Sequence, residues 1–166
     1  MRYPKSFLLL LVLPTAALSS ANCRRDVSAA EIVGPPSESA AVNVAPVGPR
    51  VDEPAFTLSF TTNAPYSVGK AGLVLLELKA KSPHHVNQEY PHKLKLNPAD
   101  GITFPNSILA RDAMSLEPMA VSLKVPFTPT RSGTLTISGE FAFSLCTADR
   151  CLIEKRALST EIRVQK

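Results

Sequence analysis

The sequence of 166 residues predicts an all-β domain, an immunoglobulin-like antiparallel β-sandwich of about seven strands. Three observations support this prediction. From Ala55 onward, apolar and polar residues alternate, as they do in strands that bury one face. Clusters of Gly, Pro, Asn and Asp separate the alternating runs, and no stretch has a convincing helical period. A domain that spans residues 55–166 is also long enough to bury a substantial core.

The predicted strands follow one another along this domain. The first run, FTLSF, places Phe56, Leu58 and Phe60 on one face. Gly139 interrupts a later run, and we interpret it as a β-bulge. The remaining predicted strands are AGLVLLELKAK (71–81), KLKL (93–96), AVSLKVPFTP (120–129), GTLTISGEFAF (133–143), a short strand at 151–153, and RALSTEIRV (156–164).

The stretch FPNSILARDAMSLEPM, residues 104–119, has no clean period. It predicts an irregular crossover between the two sheets. Met114 and Met119 are interpreted as core fillers rather than as copper ligands, because the flexible thioether side chain adapts to irregular gaps.

The amino terminus has the layout of a secretory signal peptide. Arg2 and Lys5 form a positive region, residues 7–13 are all apolar, and small polar residues follow before Cys23. The apolar run is too short to span a bilayer, which takes about 20 residues. Residues 1–22 are therefore predicted to be a signal peptide, and the chain is predicted to be exported.

Cys23 stands where a cleavage site belongs. The segment LSSANC that ends at Cys23 resembles the lipobox of bacterial lipoproteins, in which the cysteine becomes the lipidated first residue. The alternative is ordinary cleavage near Ala21, which leaves Cys23 as a free thiol. If the resemblance holds, Arg24 in place of an aspartate indicates anchoring in the outer membrane.

Residues 23–54 predict a disordered linker. They are rich in Ala, Val, Pro, Ser and Glu, and they contain no aromatic residue. The formal charge of the chain is +4, and it falls to +2 once Arg2 and Lys5 are removed with the signal peptide. A charge this small gives no support for a nucleic-acid partner.

Cys146 and Cys151 flank the short segment TADR between two predicted strands. In an oxidising compartment, an isolated pair of cysteines predicts a disulfide. Residues opposite one another on antiparallel strands are close enough for the bond. So short a loop gains only on the order of 2 kcal/mol from closure. The pair could be a structural staple or an exchangeable bond, and metal binding is the least favoured of the three interpretations because only two thiols are present.

Three histidines and a glutamate lie in the segment SPHHVNQEYPH. His84, His85, Glu89 and His92 could bind a divalent ion, but their spacing matches no catalytic metal pattern. A polar connecting loop is the favoured interpretation, and no metal or cofactor is predicted. The sequence also has no nucleophile elbow or glycine-rich phosphate loop, so hydrolytic and nucleotide chemistry have no support.

The closing stretch GTLTISGEFAFSLCTADRCLIEKRALSTEIRV resembles the end of the N-terminal periplasmic domain of the thiol:disulfide interchange protein DsbD and its free-standing relatives. SPHHVNQEYPHKLKL is similar to an earlier segment of these domains, and the resemblance covers residues 55–166. It implies an immunoglobulin-like module in which Cys146 and Cys151 exchange electrons with partner proteins. Arg150 supplies positive charge that could favour a thiolate.

The resemblance also implies the partners. The complete interchange protein continues into a transmembrane portion and a thioredoxin-like domain, and these do not follow in this chain. We therefore expect a separate donor, either thioredoxin-like or embedded in the membrane, and oxidised periplasmic proteins as clients. The rival expectation is a non-catalytic structural or protein-binding lipoprotein with an inert hairpin disulfide.

Overall fold

A computed structural model describes residues 48–166 of the chain. The predicted signal peptide, Cys23 and the linker up to residue 47 lie outside these residues. The described part contains twelve β-strands and one short 3-10 turn, Arg111–Ala113. Within it, no helix is long and apolar enough to cross a membrane.

The strands occur in a simple chain order. They are β1 (Arg50–Asp52), β2 (Phe56–Thr62), β3 (Tyr66–Ser67), β4 (Gly72–Ala80), β5 (His85–Val86), β6 (Lys93–Leu96), β7 (Ile102–Thr103), β8 (Ile108–Ala110), β9 (Met114–Glu117), β10 (Ala120–Pro129), β11 (Gly133–Cys146) and β12 (Cys151–Gln165).

The strands form two sheets. The first has the order β1-β2-β4-β10-β7, and β9 also pairs with β10. The second has the order β3-β12-β11-β6-β8, and β5 also pairs with β11. All pairings are antiparallel except that of β3 with β12. The architecture is an all-β sandwich of immunoglobulin-like type, as the alternating pattern predicts.

The inner faces of the two sheets form one hydrophobic core. Side chains of alternate residues on β2, β4 and β10 meet those of β6, β11 and β12, and nearly all are fully buried. The rings of Phe56 and Phe143 pack edge to face across the sheets, with centroids 4.9 Å apart. Phe141 lies beside Phe143, at 5.3 Å. These aromatic contacts hold the two sheets together and fix which face of β11 points inward.

The sandwich begins before Ala55. Strand β1 lies within the predicted linker, pairs with β2, and covers what would otherwise be an open sheet edge. Its middle residue, Val51, packs against the core. Asp52 forms ion pairs with Lys81 and Arg50, and the hydrogen bond from Lys81, followed by that from Arg50, lowers the pKa of Asp52 to about 2. Because only one of its three residues is apolar, this strand shows no alternating pattern in the sequence.

The predicted bulge at Gly139 is wrong. The register of β11 with β12 is continuous from the Gly133–Val164 pair to the Cys146–Cys151 pair, and Gly139 lies directly opposite Leu158. Glycine is needed there because β6 approaches closely. A Cβ atom on residue 139 would lie 2.7 Å from the backbone oxygen of Lys95.

Two further expectations need correction. The short strand at 151–153 and the run at 156–164 are parts of one strand, β12. The crossover at 104–119 is not irregular throughout, because it contains β8 and β9. Met114 packs against the core as expected, whereas Met119 is exposed at a turn and fills no core space.

Candidate functional site

The two cysteines lie at the tip of the longest hairpin of the domain. Strands β11 and β12 have 14 and 15 residues, and the pair Cys146–Cys151 ends their ladder. The backbone N–H of Thr147 donates a 2.8 Å hydrogen bond to the carbonyl oxygen of Arg150 and closes the connecting loop. The Thr147 hydroxyl also donates to the same oxygen, at 3.3 Å. The loop therefore holds the two cysteines opposite each other.

The cysteines form a disulfide bond, with their Cα atoms 4.0 Å apart. This confirms the predicted pairing. Thr147 and Arg150 make a hydrogen-bonded pair, and hydrogen-bonded and non-hydrogen-bonded pairs alternate along an antiparallel ladder. Cys146 and Cys151 consequently occupy a non-hydrogen-bonded pair, where opposite side chains approach most closely.

The two halves of the disulfide differ in exposure. Cys146 is buried, at 8% of its full accessibility, whereas Cys151 is exposed. The difference comes from the sheet order. Strand β11 is flanked here by β12 and β5, while β3 pairs with β12 only at Val164 and Gln165. Among residues 48–166, no strand pairs with the outer edge of β12 from Cys151 to Arg163, so Cys151 faces solvent.

Strand register defines a row of side chains around the disulfide. Cys146 is opposite Cys151 on β12 and opposite His85 on β5. Directly opposite residues of antiparallel strands have their side chains on the same face, with Cβ atoms about 4.5–5.5 Å apart. This is the outer face of the sheet, because the neighbouring Leu145 belongs to the core. Cys151, Cys146 and His85 therefore lie side by side, and we call them the disulfide row.

A second row lies next to it on the same face. Ser144 is opposite Ile153 on β12, and it accepts a 3.0 Å backbone hydrogen bond from the N–H of Asn87 on the other side. Ile153 is 65% exposed on this face, whereas Leu152, which lies opposite Leu145 and therefore on the other face of β12, is 37% exposed. Ser144 is fully buried, and its hydroxyl has no hydrogen-bond partner among the residues that the structure describes. Exposed apolar surface thus borders the exposed cysteine.

A basic groove continues from these rows along the outer face. Lys155 and Lys93 flank Ala142, to which both are opposite, and the groove has a volume of about 460 Å³. Its other charged residues are Lys95, Arg111, Glu89 and Glu140. None of the ion pairs in the described part of the chain includes a cation of this groove. Four cations and two anions therefore line this groove, whose centre at Ala142 lies two rows away from the disulfide row.

The structure separates the three histidines. His85 is exposed in the disulfide row. His92 is buried between the rings of Tyr90 and Phe141, its Nε2 lies 2.8 Å from the backbone oxygen of Asn87, and burial lowers the pKa of its imidazole. The Nδ1 atom of His84 is buried and has no hydrogen-bond partner within the described part of the chain. Across residues 48–166, no three His, Cys, Asp or Glu side chains come together as a metal site.

The basic residues near the cysteines in sequence have different surroundings. Arg156 lies on the other face of β12, where it forms ion pairs with Glu154 at 3.0 Å and with Glu53 at 3.9 Å. Its guanidinium also lies over the ring of Phe56, 5.8 Å from the centroid. Arg150 belongs to the exposed hairpin loop. Arg156 therefore acts in packing the two sheets together and does not face the disulfide.

The sequence indicates His85 only as a possible ligand of a divalent ion and does not connect it with the cysteines. The structure places it opposite Cys146. Neither local spacing nor composition could indicate this pairing, because β5 and β11 are far apart along the chain. Only the alternation of the sheet, once β5 is known to pair with β11, brings His85 to the outer face.

The fold and the site together define an immunoglobulin-like β-sandwich with a half-exposed disulfide at the tip of its longest hairpin. No protein-family model and no curated protein matches the sequence. Two solved structures are similar in fold. One is a cohesin module of a family 33 glycoside hydrolase from Clostridium perfringens, with a TM-score of 0.40, 16% identity, and coverage of 67% of this chain and 97% of that one.

The second is AggA, the major subunit of aggregative adherence fimbriae type I from Escherichia coli. Its TM-score is 0.35 and its identity 11%, over 66% of this chain and 95% of that one. At these scores neither structure carries an argument about function. Any functional proposal therefore depends on the chain's own residues.

Proposed function

We propose that this domain is a thiol:disulfide exchange module, which accepts electrons from a separate donor and passes them to oxidised client proteins through Cys146 and Cys151. The observation that carries the proposal is the exposure of Cys151 at the open edge of β12. Exchange requires a thiolate to reach a sulfur atom of the disulfide, and access is one of the properties that set its rate. The donor is thioredoxin-like or a membrane protein with a reduced pair of thiols, and the clients are oxidised exported proteins.

The difference in exposure between the two cysteines supports one order of attack. A thiolate of the donor attacks the Sγ atom of Cys151, a new bond forms between these two sulfurs, and Cys146 leaves as a thiolate. The second thiolate of the donor then attacks the donor sulfur that is bonded to Cys151, and Cys151 leaves as a thiolate. The donor departs with a disulfide of its own, and the pair Cys146 and Cys151 has gained two electrons in total.

Delivery to a client is the reverse sequence. The Cys151 thiolate attacks the client disulfide, and one client sulfur leaves. Cys146 then attacks the Sγ atom of Cys151, the mixed disulfide breaks, and the client departs with both of its sulfurs reduced. The hairpin disulfide is restored, so the module is ready for another donor.

The surroundings of Cys151 support contact with a protein partner. Leu152 and Ile153 follow it directly and expose apolar surface. Within residues 48–166, no strand pairs with the outer edge of the adjacent stretch of β12, and another chain can form hydrogen bonds with it. A partner that brings its own thiol to Cys151 would bury both features.

A specific observation also favours the rival function, a structural or protein-binding domain with an inert disulfide. The bond ends an uninterrupted ladder of β11 and β12, and its Cys146 half is buried. A bond in this position could serve only to prevent fraying of the hairpin tip. In that case the open edge and the apolar residues would bind a partner without electron transfer.

The reduction potential of the pair separates the two functions. The purified protein is equilibrated with glutathione buffers, and free thiols at Cys146 and Cys151 are counted by mass spectrometry. An exchange module should have a potential above about −250 mV, within the range of oxidoreductases. A potential below about −300 mV, or no reduction at all, would support the inert structural bond.

Export and anchoring belong to the same proposal. The signal-like segment 1–22 and the LSSANC motif support lipidation at Cys23 and attachment to the outer membrane. Residues 23–54 include the linker that would hold the sandwich away from the lipid surface. Replacing Cys23 by serine should release the protein from the membrane fraction, and retention of the variant there would contradict the lipid anchor.

A further inference from the structure

We infer that His85 acts as the acid–base residue for the sulfur of Cys146 during exchange. This inference rests on the proposed exchange function. Register carries it, because Cys146 lies between Cys151 on one side and His85 on the other, with all three side chains on the outer face. His85 is exposed, so it can exchange protons with solvent.

The chemistry requires such a group at Cys146 rather than at Cys151. When the donor attacks Cys151, the electrons of the broken bond remain on the Sγ atom of Cys146. This sulfur is shielded from water, because Cys146 is buried. A protonated imidazole beside it stabilises the thiolate or donates a proton to it, which makes Cys146 a better leaving group.

The same residue serves the return step. Cys146 must lose its proton before it can attack the mixed disulfide between Cys151 and the client. A neutral imidazole can accept that proton and release it to solvent. Histidine suits both directions because it changes charge in the pH range of ordinary cellular compartments.

Few other charged groups compete for this role. Two of the nearest charged residues, Asp149 and Arg150, lie in the hairpin loop. A third, Glu117, precedes Pro118, and the carbonyl of Pro118 accepts a hydrogen bond from the backbone N–H of Val86, the residue after His85. Lys93 and Lys155 share the face of His85, but two rows away from the disulfide. None of these residues is directly opposite Cys146.

The first test measures the thiolate fraction of Cys146 in the full chain. Cys151 is replaced by serine, and the iodoacetamide reaction of Cys146 is followed from pH 5 to 9 by mass spectrometry of its own peptide, so that Cys23 does not contribute. Adding His85→Gln should lower the alkylation rate near pH 6 on the order of tenfold, because an adjacent cation shifts an acid–base equilibrium by about that factor. His84→Gln, the neighbouring histidine outside the disulfide row, should leave the rate unchanged.

The second test uses the intact disulfide and dithiothreitol. The reduction rate of the natural chain divided by that of His85→Gln should be larger at pH 5 than at pH 9, because an imidazole can carry a positive charge and the glutamine side chain cannot. His85→Arg keeps the cation but cannot titrate. It should preserve the faster reduction at low pH and extend it to high pH, which a merely structural role of His85 would not produce.

The two hypotheses fail in different ways. If the pair is reducible above about −250 mV, and His85→Gln leaves both the alkylation profile and the rate ratio unchanged, only the role of His85 is overturned. If the potential lies below about −300 mV, the exchange function itself is overturned, and the role of His85 with it. Circular dichroism of each variant confirms that the sandwich is intact.

Discussion

Replacing both Cys146 and Cys151 by alanine measures how much the disulfide contributes to the fold. The bond closes a loop of six residues, counting both cysteines, since their sequence separation is 5. Loop closure over this length stabilises the folded state by about 2 kcal/mol. We expect no larger loss, because β5 pairs with the end of β11 and the core holds Leu145, and neither contact involves the bond itself.

The assay is equilibrium urea unfolding of the variant and of the natural chain, followed by circular dichroism. We expect a decrease of about 2 kcal/mol in the free energy of unfolding, with an unchanged denaturant slope and a Tm lower by roughly 10 °C. Loss of the folded state, or a decrease above about 5 kcal/mol, would refute the reasoning. Such a result would show that the bond holds the sandwich together, as a structural staple does.

Three further outcomes follow from the described contacts. Gly139→Ala should destabilise the domain by about 2 kcal/mol in urea unfolding, because its Cβ would meet the backbone of β6, whereas Gly48→Ala meets nothing within 4 Å and should have little effect. Burial lowers the pKa of His92, so the unfolded state binds more protons than the folded state. The free energy of unfolding should therefore fall as the pH drops below about 6.5. A free energy of unfolding that stays constant from pH 7.5 to 5 would contradict this prediction. Ile153→Asp should slow the reduction of the disulfide by a thioredoxin-like protein several-fold, but it should not slow reduction by dithiothreitol. The control is Glu161→Gln, far along the same face of β12. Equal slowing by this control would argue against docking of the partner at the exposed apolar surface.

Elements with local signals could be predicted from the sequence. The alternation of residues 56–60, 71–81, 93–96 and 120–129 reports which side of a strand is buried, and each run is a strand in the structure. The disulfide could also be predicted from the sequence. Only four residues separate Cys146 from Cys151, so the turn alone brings the cysteines together once the flanking strands are known.

Elements whose form depends on a distant neighbour could not be predicted. Strand β1 forms by pairing with the edge of β2, and its own residues show no alternation of apolar and polar residues. Gly139 looks like a bulge from its position in the run, but the approach of β6 explains it. The exposure of Met119 depends on the turn between β9 and β10, which its apolar character does not reveal.

The candidate site divides in the same way. The sequence by itself determined the class of fold, the two cysteines and their bond, because alternation and a short turn are local properties of the chain. Only the tertiary structure decided that Cys146 is buried and Cys151 exposed, and that His85 lies beside them. Strand order and register set these features, and both depend on non-local pairing and on packing of the two sheets around one core.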